Sequence, residues 1–137
     1  MNIPNSDKQY IYIRDNEKCY YCKKNLKLNK ITLDHFLPKS KRGTTDVFNL
    51  VTCCKFCNKL KSNKIPENYE ETILKLFIKA VEDNRILGSG LKISQKELKE
   101  ELLKVNKIED LTNNFIFQSP DKRFYVKNNR IFKIIYL

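Results

Sequence analysis

The apolar positions change their period several times along the chain, and each change predicts an element. Tyr69, Ile73, Leu76, Phe77, Ala80 and Val81 recur at helical spacing. This predicts an amphipathic helix running from Pro66, suited to the first helical position, to about Asn84, with Glu67, Glu70 and Glu71 at its electropositive end. A second helix starts at Ser94, where Glu97 completes a capping box, and presents Leu98, Leu102 and Val105 to a core. Between them, Gly88 to Gly90 is the one candidate hinge. Beyond, the period shortens: Phe115 to Phe117, Arg123 to Lys127 and Arg130 to Tyr136 are rich in aromatic and β-branched residues. Asn128-Asn129 suits a two-residue turn with positive φ, so the carboxy-terminal end predicts a β-hairpin.

Toward the amino terminus the pattern is weaker. Ser6 to Arg14 can form a helix with Ser6 as N-cap and Gln9 three residues on, although the run Tyr10-Ile11-Tyr12-Ile13 also admits a strand. Ile31-Thr32-Leu33 predicts a strand ending near Asp34, before Pro38, with Leu50 to Thr52 as its short partner. A helix then opens near Cys54 and reaches about Lys61. The predicted architecture is α+β: a strand, loop, strand and helix unit, followed by two helices and a hairpin, in one domain over 1–137. Its parts are an amino-terminal helix in 1–18, a central module in 19–64 and an extension in 65–137.

Charge picks out the central module. The 137-residue chain has a formal net charge of +11. Residues 18–64 hold 12 Lys or Arg against only Asp34 and Asp46, net +10, whereas 65–137 are near balance at +2 and 1–17 sum to −1. A concentrated positive segment favours a polyanion, since neutralising phosphates releases counterions. No apolar run approaches a transmembrane length and no secretory signal is evident, so the expected location is the cytoplasm and no membrane partner is expected.

Within the same module lie Cys19-x-x-Cys22 and Cys54-x-x-Cys57, with 31 residues between Cys22 and Cys54. Two such pairs have the spacing of a closed tetrahedral zinc site in which each pair forms a knuckle. Cys53, the fifth cysteine, lacks the spacing of a ligand and reads as a small buried residue. Between the knuckles stands Asp34-His35, which contains the only histidine. A phosphodiester is hydrolysed by an activated water, a positive group at the phosphate and a stabilised leaving oxygen. His35 is neutral and proton-accepting near neutral pH, while Asp34 and Asn58 offer hard oxygens for Mg²⁺ or Mn²⁺. Lys39, Lys41, Arg42 and Lys61 are candidate phosphate contacts.

Taken together, Cys-x-x-Cys, Asp34-His35-x-x-Pro38-x-Ser40, Gly43, Asn49-Leu50-Val51 and Cys54-x-x-Cys57-Asn58-x-x-Lys61 resemble the HNH endonuclease family in its zinc-carrying form, with Asn in place of the last His. The family usually has two glycines after the Ser; here the stretch is Arg42-Gly43-Thr44, with one Gly missing. The resemblance implies a ββα-metal finger, DNA as substrate, and four catalytic positions. His35 is the general base, Asp34 and Asn58 are ligands of the divalent cation, and Asn49 fixes the loop around the base. A non-catalytic zinc-ribbon that binds nucleic acid is the principal alternative, and a zinc-stapled protein-interaction domain a weaker one. The oligomeric state stays open, a homodimer among the options.

Overall fold

The computed structural model describes residues 3–111 and 114–137. Among them are four α-helices and two sheets, in two compact units that divide after Pro66.

The first unit contains α1 (Asn5–Arg14), β1 (Thr32–His35), β2 (Leu50–Cys53) and α2 (Lys55–Lys61), with short 3₁₀ turns at Leu28–Lys30, Lys39–Lys41 and Val47–Asn49. Helix wins over strand at Tyr10 to Ile13, but Ser6 is not its cap. Pro4 holds that position, with no side-chain capping bond. The two strands pair antiparallel with Asp34 opposite Val51 and His35 opposite Leu50. All four residues of β2 are buried. Cys54 caps α2, its sulfur accepting the N–H of Cys57. The β1–β2–α2 order is the expected ββα unit.

What fastens α1 to this unit is a buried ion pair invisible to apolar periodicity. Arg14 donates to both carboxylate oxygens of Asp15 and also to the carbonyls of Val47 and Leu50. Asp15 Oδ2 in turn accepts the N–H of Thr52. Both side chains are 3% exposed. Removing one partner leaves an uncompensated buried charge, so Arg14→Ala or Asp15→Ala is expected to cost about 3–5 kcal/mol. Denaturant unfolding checks this, and a loss below about 1 kcal/mol would contradict it.

The second unit holds α3 (Tyr69–Glu82), β3 (Leu87–Gly88), α4 (Gln95–Leu102), β4 (Lys107–Leu111), β5 (Phe115–Gln118), β6 (Lys122–Lys127) and β7 (Arg130–Tyr136). Helix α3 begins at Tyr69, not Pro66: Asn68 precedes it in the left-handed region at φ 57°. Its apolar stripe is as expected, with Ile73, Leu76, Phe77, Ala80 and Val81 buried. Ser94 caps α4 by accepting the N–H of Glu97. Asn128 and Asn129 turn the hairpin with φ of 51° and 61°. That hairpin is extended into a five-stranded sheet of order β3-β7-β6-β5-β4. Gly88 belongs to the parallel pair β3–β7, where Leu87 donates to Asn129 and Ser89 to Ile131, so this stretch is a paired strand and not a hinge. Phe77 of α3 stacks on Phe117 of β5, centroids 3.8 Å apart, in the core between helices and sheet.

Candidate active site and metal centre

The four paired cysteines meet. The sulfurs of Cys19, Cys22, Cys54 and Cys57 all lie within 4.8 Å of one another, Cys22 to Cys54 at 3.9 Å, and none forms a disulfide. Tetrahedral coordination with Zn–S near 2.3 Å places sulfurs about 3.8 Å apart, so the set fits a zinc ion in size and donor type. Burial pushes the Cys19 thiol up, but N–H groups of Cys22, Cys54 and Tyr21 aimed at its sulfur outweigh this and bring it down to about 6. Such donors favour the thiolate that a metal takes. Cys57 is raised instead, to about 12, chiefly by burial. Cys53 is fully buried beside the cluster and outside the ligand set, as its spacing predicts.

Asp34 and His35 end β1, where alternation sends neighbouring side chains to opposite faces. Asp34 is 7% exposed, and its Oδ2 accepts from Tyr21 at 2.6 Å and forms an ion pair with Lys61 Nζ at 3.1 Å. Lys61 Nζ also donates to the backbone carbonyl of His35 at 2.9 Å. One ammonium on α2 thereby holds both halves of the Asp-His step. The expectation of Lys61 as a surface phosphate contact does not hold in this arrangement: its side chain is 8% exposed and turned inward, because the buried carboxylate attracts it more than solvent does. Tyr21 stacks on Phe36 with planes 5° apart, which fixes the hydroxyl toward Asp34. Its pKa is raised, first by burial and then by the hydrogen bond to Asp34.

His35 is half-buried, with Nε2 3.2 Å from Thr45 Oγ1. Burial holds its pKa below the ordinary value, Lys39 and Lys61 add to that, and Asp34 opposes. The neutral ring, the form that accepts a proton, is thereby favoured.

Asn49 is fully buried and fastens the loop after His35 at both ends. Its Oδ1 accepts the N–H of Leu37, and Nδ2 donates to the carbonyls of Leu37 and Thr44. Inside that loop Arg42 and Gly43 divide the work. Arg42 takes the left-handed conformation at φ 71°, and Gly43 gives the close approach, since a Cβ there would lie 1.6 Å from the Leu37 carbonyl oxygen. Lys39, Lys41 and Arg42 are exposed on this loop. Asn58 is exposed on α2, one turn before Lys61. Asp34 and Asn58 supply a carboxylate and an amide oxygen, a donor set that suits a hard divalent cation sharing its remaining positions with water and phosphate.

Residues 19–74 match the HNH endonuclease family model. The matched segment spans both cysteine pairs, β1, β2, α2 and the start of α3. The Type II-C Cas9 enzyme from Actinomyces naeslundii aligns in structure over 78% of this chain at 20% identity and a TM-score of 0.42, and the chain spans 12% of that enzyme's length. Among curated proteins, none matches. No helix among the described residues is long and apolar enough to cross a membrane.

Two residues at the candidate site, Tyr21 and Thr45, carry no signal in sequence spacing, and the spacing that singles out Lys61 does not give its role. Tyr21 sits inside the first cysteine pair, where residue identity is unconstrained by zinc. Thr45 belongs to a loop without period. The inward turn of Lys61 depends on the rotation of α2 about its axis, which only packing sets.

Proposed function

We propose that the protein is a metal-dependent HNH endonuclease that hydrolyses DNA phosphodiester bonds. The observation that carries this reading is the Lys61 bridge, which ties α2, the helix that also carries Asn58, to the Asp34-His35 step. His35 is the general base and takes the proton of the attacking water. In the tautomer whose Nε2–H donates to the Thr45 hydroxyl, Nδ1 carries the accepting lone pair. Asn49 acts indirectly, by holding the loop that frames the imidazole. Asp34 and Asn58 would hold Mg²⁺ or Mn²⁺, which when bound polarises the phosphate and stabilises the leaving oxygen. Cys19, Cys22, Cys54 and Cys57 would hold the structural zinc.

Plasmid nicking in Mg²⁺ or Mn²⁺ tests the reading. Tight DNA binding with no cleavage across varied DNA and metals would reject it in favour of the zinc-ribbon binding module. The exposed cations Lys39, Lys41 and Arg42 contact phosphates in this scheme. Replacing all three by Gln should weaken binding to every sequence alike and flatten the slope of log affinity against log salt by roughly 0.9 per lost contact. An unchanged slope would remove them from the interface.

A further inference from the structure

Residues 122–137 hold five Lys or Arg and no Asp or Glu. In the sheet of the second unit four of the five gather on one face, while Lys122 is buried on the other and paired with Glu101 and Asp121. Along β6, Phe124 and Val126 are buried, whereas Arg123, Tyr125 and Lys127 alternate onto the other side. Antiparallel register sets Lys127 opposite Arg130 and Tyr125 opposite Lys133. The irregularity at Tyr125/Val126 leaves Phe132 outside the pairing, 42% exposed. Tyr125 meets Phe132 edge to face at 6.1 Å and has Lys133 Nζ 5.1 Å from its ring centre. Arg123 is already engaged by Gln118 and Glu109. Lys127, Arg130 and Lys133 pair with no carboxylate among the described residues.

A solvated sheet face ordinarily mixes charge signs and turns its rings inward. Cations without carboxylate partners around exposed Phe132 and half-buried Tyr125 match a ligand that is polyanionic and also offers flat apolar faces. Nucleic acid combines the two. The faces of paired bases are hidden in the duplex stack, so a ring on an open sheet can stack only on an unpaired base.

From this juxtaposition we infer that the outer face of the carboxy-terminal sheet binds single-stranded nucleic acid. Lys127, Arg130 and Lys133 contact phosphates, and Phe132, braced by Tyr125, stacks on a base. The face includes none of the residues assigned to cleavage, so it is open to test whether or not the nuclease reading holds.

The full-length protein is titrated, without added Mg²⁺ or Mn²⁺, against fluorescent oligothymidylate and against a duplex of equal length at several salt concentrations, with anisotropy as readout. Replacing Lys127, Arg130 and Lys133 together by Gln should weaken single-strand binding and lower its salt slope by about 2, from roughly 0.7 per contact. Phe132→Ala should weaken single-strand binding about 5- to 150-fold, leave duplex binding unchanged, and be rescued by Phe132→Trp. Circular dichroism melting establishes that each variant is folded. An unchanged single-strand affinity and slope in the triple variant would overturn the proposal, and so would wild-type affinity in Phe132→Ala. A loss in Phe132→Ala that is equal on duplex would overturn the single-strand assignment.

Discussion

His35→Ala is expected to lower plasmid cleavage by about 10²–10⁴-fold while zinc content, melting behaviour and DNA affinity stay close to wild type. The separation follows from geometry. The imidazole is half-buried and meets Thr45, and it is neither a member of the cysteine cluster nor one of the exposed cations of the loop. Asn58→Ala should also abolish cleavage, through loss of the divalent cation, so raised Mn²⁺ should restore part of its activity and none of that of His35→Ala. Asp34→Ala is the less discriminating variant. It removes the carboxylate that balances Lys61 and accepts from Tyr21, and therefore carries a folding cost from a stranded buried ammonium. Wild-type cleavage by His35→Ala would reject the assigned base even in a protein that is a nuclease.

The other large effect concerns the four thiols. Cys19→Ala or Cys57→Ala is expected to unfold the first unit, and chelation of the metal to do the same. The strands of its ββα unit are four residues each and its helix seven. Isolated elements this short are marginal. Structural zinc contributes about 10–16 kcal/mol of apparent binding energy to small folds of this kind. The measurements are elemental analysis of the purified protein and far-ultraviolet circular dichroism of the variants. Protein free of zinc yet natively folded would sink this prediction.

The two outcomes depend on different kinds of information in the chain. The cysteine cluster is written in local spacing: two residues between paired thiols force a knuckle, and two knuckles need one metal to close them. The stripes of α3 and α4 and the Asn128-Asn129 turn are equally local, because a period of 3.6 or a positive φ at two successive residues is a property of a few adjacent positions. The helix starts are less so. Pro66 suits a first turn, yet Asn68 in the left-handed region starts the helix at Tyr69.

Neither the sheet nor the electrostatics of the site could be read in that way. The strand Leu87–Gly88 has only two residues, and its pairing with β7 joins positions more than 40 apart in the chain. No window of sequence contains both. The Arg14–Asp15 pair occupies adjacent residues, but its value comes from carbonyls and an N–H supplied by residues 47–52 and from the exclusion of water around them. Sequence by itself determined which chemistry the chain carries: four thiols, one imidazole, a carboxylate beside it, and cations gathered in one segment. Tertiary structure alone decided which of those charges remain in solvent. Lys61 and Lys41 are both lysines in the basic segment, and packing buries the first against Asp34 while leaving the second exposed. The free energy of a charge depends on the surrounding dielectric and on its partner across the fold, and residue order records neither.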